Sequence, residues 1–307
     1  MEYALIIAEQ ILIMFLMILL GAFCYRKQII TKEGNRQLSA VVLHVVCPVL
    51  IFMAYQTEFS KELLQGLLWA MLLSVISFVI AIAFAAVAVR KDPRREYAIE
   101  KCSVIYSNCA FMGFPLIQAL FGNTGIFYTT AYLTLFNLLV WSHGVMVMND
   151  SVNWKGLVKA MKAPTIIAIV LGIICYVANI RLPETLAAAL NYIASMNTPL
   201  AMLVAGATIA QTNLLKAFKK PRVYLVALYR LLVIPLLVLA ATMFLPVSRE
   251  VYMSVILATA CPTATICTLF AISYNKNALY ASELFAVTTI LSAVTMPLMV
   301  LLVNFAI

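Results

Sequence analysis

Charge is what this chain has least of. Only 11% of its 307 residues are charged, and the acidic share is the smaller, 12 residues against 21 Lys and Arg. A water-soluble domain carries about 25% charged residues, so a soluble enzyme or a nucleic-acid-binding module is excluded. The net charge of +9 then needs another explanation. Two histidines leave little for metal or proton chemistry. The seven cysteines (24, 47, 102, 109, 175, 261 and 267) form no C-x-x-C pair and lie mostly in apolar runs, so they read as small core residues. No H-E-x-x-H, G-x-S-x-G, Walker A or paired intramembrane aspartate is present, which argues against an enzyme and gives no reason to expect a cofactor or metal. The first apolar run has Glu2 and Glu9 at its flank instead of a cationic lead, and it lacks a small-residue cleavage pattern. A retained helix is expected there, not a signal peptide.

What is present is hydrocarbon: 64% of residues are hydrophobic and the mean hydropathy is +1.02. Ten apolar stretches cover 4–25, 37–57, 64–89, 99–120, 124–148, 164–181, 185–211, 222–246, 251–272 and 281–306. Most reach the roughly 20 residues that cross a bilayer as a helix. The fold class expected is therefore all-α, integral to the lipid bilayer. Of the 21 Lys and Arg, 17 follow stretches 1, 3, 5, 7 and 9, and only Lys61, Arg181 and Arg249 lie in the alternate connections. The positive-inside rule then places the basic loops in the cytoplasm and both termini outside a cell (inner or plasma) membrane. The basic charge reads as a topology signal, with no nucleic acid implied.

The chain reads as one polytopic domain over 1–307. A first repeat covers about 1–148, a cytoplasmic connection about 149–163, and a second repeat about 164–307. Pro48 in stretch 2 matches Pro199 in stretch 7, and Pro115 in stretch 4 matches Pro262 in stretch 9. Five crossings per half is an odd number, so the two halves must be inverted relative to each other. That arrangement belongs to secondary transporters, whose site lies at the repeat interface on interrupted helices.

Ser107–Gly122 holds Asn108, Gly113 and Pro115 inside an apolar run, and Ala260–Tyr274 holds Pro262 followed by Thr263, Thr265 and Thr268. Proline removes an N–H and clashes one turn back, so interruptions of stretches 4 and 9 are expected at Pro115 and Pro262. Broken backbone at membrane depth is tolerated where it is buried in protein or lines a cavity. Substrate contacts are expected from Asn108, Cys109, Met112, Gly113, Pro115, Pro262, Thr263 and Thr265, with Asn137 and Tyr132 of stretch 5 facing the same cavity. Asn108 is read either as a ligand for substrate or as a partner for freed backbone. Pro48 and Pro199 are read as shaping the opposite wall. No carboxylate lies at either interruption, which favours an anionic or neutral organic substrate over a cation. Arg230 is the basic residue deep in a stretch; it reads as a counter-charge for a substrate carboxylate, as a partner of Glu283, or as a snorkelling side chain. His44 is read as a core residue or a proton relay.

The run Asn108…Met112-Gly113-Phe114-Pro115-Leu116…Ala119-Leu120-Phe121-Gly122 resembles the fourth-helix signature of the auxin efflux carrier family. Ala260-Cys261-Pro262, Phe270-Ala271…Tyr274-Asn275 and Met296-Pro297 are similar to that family's ninth and tenth helices. Leu203–Ala210 and Arg230…Pro235 look like its bacterial members, often called malate or organic-acid permeases. The resemblance implies ten spans in two inverted five-helix repeats, with broken helices 4 and 9 crossing at the substrate. Spans 1, 2, 6 and 7 would form a scaffold, often a homodimer. Spans 3–5 and 8–10 would form a transport domain moving like an elevator. Substrates would be small organic anions such as malate, malonate or auxin-like carboxylates. The plant carriers' long central loop is absent, and Thr-Ala-Thr follows Pro262 where plant members differ, so auxin itself is not implied. The same build also serves cation-coupled antiporters and symporters, and a ligand sensor without turnover is a further alternative.

Overall fold

The computed structural model describes residues 2–92, 96–149 and 161–306. The connection at 149–163, with Lys155 and Lys159, lies almost wholly outside the described residues, as do Arg94 and Arg95. The described chain is helical: α1 (Glu2–Arg26), α2 (Lys32–Ala54), α3 (Lys61–Ala88), α4 (Tyr97–Ile105), α5 (Cys109–Asn149), α6 (Pro164–Val177), α7 (Glu184–Ala210), α8 (Pro221–Thr242), α9 (Arg249–Ala260), α10 (Thr265–Ser273) and α11 (Ala278–Ala306). Seven of them are long and apolar enough to cross a membrane. The other apolar stretches fall on the 14-residue α6 and on helices interrupted mid-way, α4 before α5 and α9 before α10. Leu5, Leu12, Leu16 and Leu19 of α1 and Ile167, Leu171 and Ile174 of α6 point outward, as a chain dissolved in lipid requires. This is a multi-pass membrane protein.

Local chemistry sets the ends. Thr31 and Ser60 cap α2 and α3 with their hydroxyls, and Pro164 and Pro221 open α6 and α8 where a missing N–H costs nothing. Asn179 and Asn275 follow α6 and α10 with positive φ, the left-handed exit that asparagine tolerates. Gly122, at φ 56° and ψ −141°, breaks α5 internally.

Three intramembrane prolines share one device. Pro48, Pro115 and Pro235 each sit just beyond a π-helical turn: Val42–Val46, Cys109–Gly113 and Tyr229–Val233. A widened turn removes the clash between the proline ring and the carbonyl four residues back. The helix therefore continues through Pro115, and the interruption expected there falls instead at Tyr106–Asn108.

Two close approaches organise the packing. α1 lies along the second half of α7 with backbone against backbone: a Cβ on Gly206 would lie 2.0 Å from the Ile18 carbonyl oxygen, and one on Gly21 2.4 Å from that of Leu203. Small residues let helices meet this closely in a membrane. α6 packs on the end of α2, where Gly172 faces the Tyr55 ring. α3 runs beside α5, α8 and α9, while α11 closes against α1, α8, α9 and α10.

Candidate functional site

The two interruptions meet. Residue Cys261, before Pro262, is extended (φ −57°, ψ 150°) as a residue preceding proline must be, and Tyr106 in the other chain segment is extended as well. Ser107 and Thr263 form an isolated antiparallel bridge. Asn108 N–H donates to the Pro262 carbonyl at 2.7 Å, and Ala264 N–H donates to that of Tyr106 at 2.9 Å. Each broken helix thus satisfies backbone groups of the other, as buried peptide groups require. Thr263 locks it further: its N–H donates to Thr288 Oγ1 and its hydroxyl to the Ser103 carbonyl, both at 3.2 Å.

Arg230 binds the other unsatisfied groups. Its side chain is 0% exposed. Nε donates to the Cys261 carbonyl at 3.0 Å, Nη1 to those of Val104 and Ile105 at 3.0 Å, and Nη2 to that of Thr259. These four carbonyls lie at the C-terminal ends of α4 and α9. Glu283 is held by Lys220 instead. Glu100, which is 1% exposed, accepts a bidentate pair from Arg222 and a bond from the Tyr280 hydroxyl. The buried carboxylates are thus tied to partners outside the interruptions.

The opposite ends are open. Neither α5, beginning at Cys109, nor α10, beginning at Thr265, has a side-chain cap. Their first-turn N–H groups carry partial positive charge of about half a unit per helix. Beside them, Asn108 Nδ2, Thr265 Oγ1 and Thr268 Oγ1 are buried atoms without a hydrogen-bond partner. Asn108 itself is 6% exposed. Met112 and Pro115 are buried in the same segment. Gly113 is there for contact: a Cβ would stand 3.2 Å from Cys261 Sγ.

Other expected residues fall less directly. Tyr132 reaches the crossing, its hydroxyl 3.1 Å from Ser107 Oγ. Asn137 donates instead to the Leu133 carbonyl on its own helix. Pro48 is buried and Pro199 exposed, but Cys47 and Asn197 beside them bond across α2 and α7 at 3.2 Å. His44 is exposed and bonds the Ala40 carbonyl. Tyr106, Ser103, Thr259 and Thr288 also belong to the crossing, and no sequence pattern marks them. Single hydroxyls in apolar runs carry no signal, although Tyr106 stands only two residues before Asn108. Its hydroxyl donates to the Leu139 carbonyl and lies 2.8 Å from His143 Nδ1. Away from the crossing, an open cleft of about 490 Å³ is lined by Glu58, Phe59, Val177, Asn179 and Arg181.

Comparison with known proteins agrees with this setting. A family described as membrane transport protein matches residues 6–154 and 148–300. The uncharacterized transporter YfdV of Escherichia coli (strain K12) is 24% identical over 294 residues, 91% of this chain and 92% of its own. An uncharacterized transporter of Methanothermobacter thermautotrophicus is 25% identical over 298 residues, 94% and 96% of the two chains.

Proposed function

Because the chain belongs to the membrane transport protein family, the one its proline signatures resemble, we propose that it is a secondary or facilitative carrier of small organic anions. It works by alternating access around the Ser107/Thr263 crossing. The observation that carries the substrate class is the charge balance there. Two helix starts lack side-chain caps, each worth about half a positive charge, and Asn108, at the start of α5, has a buried Nδ2 without a partner. Arg230 sits on the two opposite helix ends and cancels their negative partial charge. A carboxylate supplies what is missing. Malate, malonate and auxin-like carboxylates are the candidates.

The architecture proposed with this function has ten crossings. α5 counts twice, once on each side of Gly122, with its first part continuing α4; α6 adds one and the α9–α10 pair another. The antiparallel run of the two break segments fits inverted repeats of five. In this reading α1, α2, α6 and α7 form the scaffold, the face through which a homodimer would assemble, and the remaining helices carry the substrate past it. Both termini face outward from the cell membrane, following the distribution of Lys and Arg.

The test is uptake of labelled malate, malonate and indole-3-acetate into proteoliposomes, with and without a proton gradient, for wild type and Asn108→Ala. Losing one charge-assisted hydrogen bond is expected to weaken apparent affinity about 10- to 100-fold, with the unfolding temperature unchanged. Equal uptake by both proteins would remove Asn108 from the site. Uptake of none of the three by folded wild type would redirect the reading to a cation-coupled carrier or a sensor.

A further inference from the structure

Half-helix C-termini at a helix crossing are the ordinary place for a coupling cation, because their unsatisfied carbonyls point inward with negative partial charge. In this protein that place is filled by a side chain. The guanidinium of Arg230 takes carbonyls from both half-helices at once, Val104 and Ile105 from α4 and Thr259 and Cys261 from α9. Two helix ends bring about one negative charge between them, and Arg230 brings one positive charge. Building on the carrier reading above, we propose that Arg230 is a tethered replacement for a coupling metal cation. Transport is then independent of sodium, and the crossing keeps its cation throughout the cycle.

Three features support a dedicated site over incidental burial. Arg230 lies inside the π turn Tyr229–Val233, which widens α8 where the side chain leaves it. Every nitrogen of the fork is used: Nε, Nη1 and Nη2 all donate, in four bonds, a pattern that the point charge of lysine cannot reproduce. The carboxylate that a simple buried pair would use, Glu283, is bound to Lys220.

The experiment needs no transport activity, so its failure is separable from failure of the carrier reading. Thermal unfolding of the purified full-length protein is measured in choline, sodium and guanidinium chlorides at equal millimolar ionic strength, for wild type, Arg230→Ala and Arg230→Lys. Wild type is expected to unfold at one temperature in all three salts. Arg230→Ala is expected to unfold about 6–12 °C lower in choline, and to regain a substantial part of that loss in guanidinium, which refits the vacated carbonyls. An Arg230→Ala protein that is no more stable in guanidinium than in choline overturns the proposal. So does a wild type whose unfolding temperature rises in sodium. Should the Ala variant not be recovered folded, Arg230→Lys decides. Its unfolding temperature is expected below wild type and equal in sodium and choline, and a rise in sodium overturns the assignment.

Discussion

Arg222→Met is expected to cost about 3–5 kcal/mol of stability, measured as loss of folded protein on thermal or denaturant unfolding in detergent. Glu100 is 1% exposed and takes two Arg222 nitrogens, Nε at 2.9 and 3.0 Å and Nη2 at 2.7 Å. With the guanidinium gone, the carboxylate keeps the Tyr280 hydroxyl at 3.1 Å, which cannot balance a buried charge. The pair is asymmetric, because the Arg222 side chain is 26% exposed. Glu100→Gln therefore leaves a cation that can turn toward water, and it is expected to cost only about 1 kcal/mol. Combining the two changes should return the protein to within about 1–2 kcal/mol of wild type, since the charge and its partner leave together. A double variant as unstable as Arg222→Met alone would show that Arg222 acts through packing, not through Glu100.

Gly206 gives the second large effect. Its missing Cβ would stand 2.0 Å from the Ile18 carbonyl oxygen, 2.8 Å from the Ile18 carbonyl carbon and 2.9 Å from the Ala22 nitrogen. All three are backbone atoms, so no side chain can rotate away and α1 must move off α7. Gly206→Ala is expected to destabilise by about 3 kcal/mol or more, and Gly206→Val to leave little monodisperse protein on size-exclusion chromatography. Gly34→Ala is the control. Only Thr31 Oγ1, at 3.2 Å, lies near its Cβ position, and the change should stay within about 1 kcal/mol of wild type. Equal loss at both positions would refute the backbone-contact explanation.

The crossing is partly legible in the order of residues. Pro262 announces its own interruption, because proline constrains itself and the residue before it, and the extended Cys261 obeys. Pro115 misleads for an equally local reason: a π turn absorbs it, and the real break lies at Tyr106–Asn108. Nothing in Tyr106-Ser107 forbids helix. Those residues are extended because Pro262 and Ala264 offer two backbone bonds and Arg230 takes the carbonyls of Val104 and Ile105. The residues that face each other across the crossing are Ser107 and Thr263, eight positions before Pro115 and one after Pro262.

Residue order alone places this protein in a bilayer, locates its long helices, and shows which connections carry positive charge. These follow from composition and short-range rules: hydropathy over a helix length, proline's missing donor, and the distribution of lysine and arginine. It also shows that no carboxylate stands at the interruptions. The task of Arg230 is settled by helix packing and by nothing shorter in range. A buried guanidinium takes whichever acceptors come within reach, and its four are brought together from α4 and α9. The same holds for Glu100 and Arg222, 122 residues apart along the chain. Charges in hydrocarbon must be compensated, but the partner is chosen by the packing of helices, which no local pattern records.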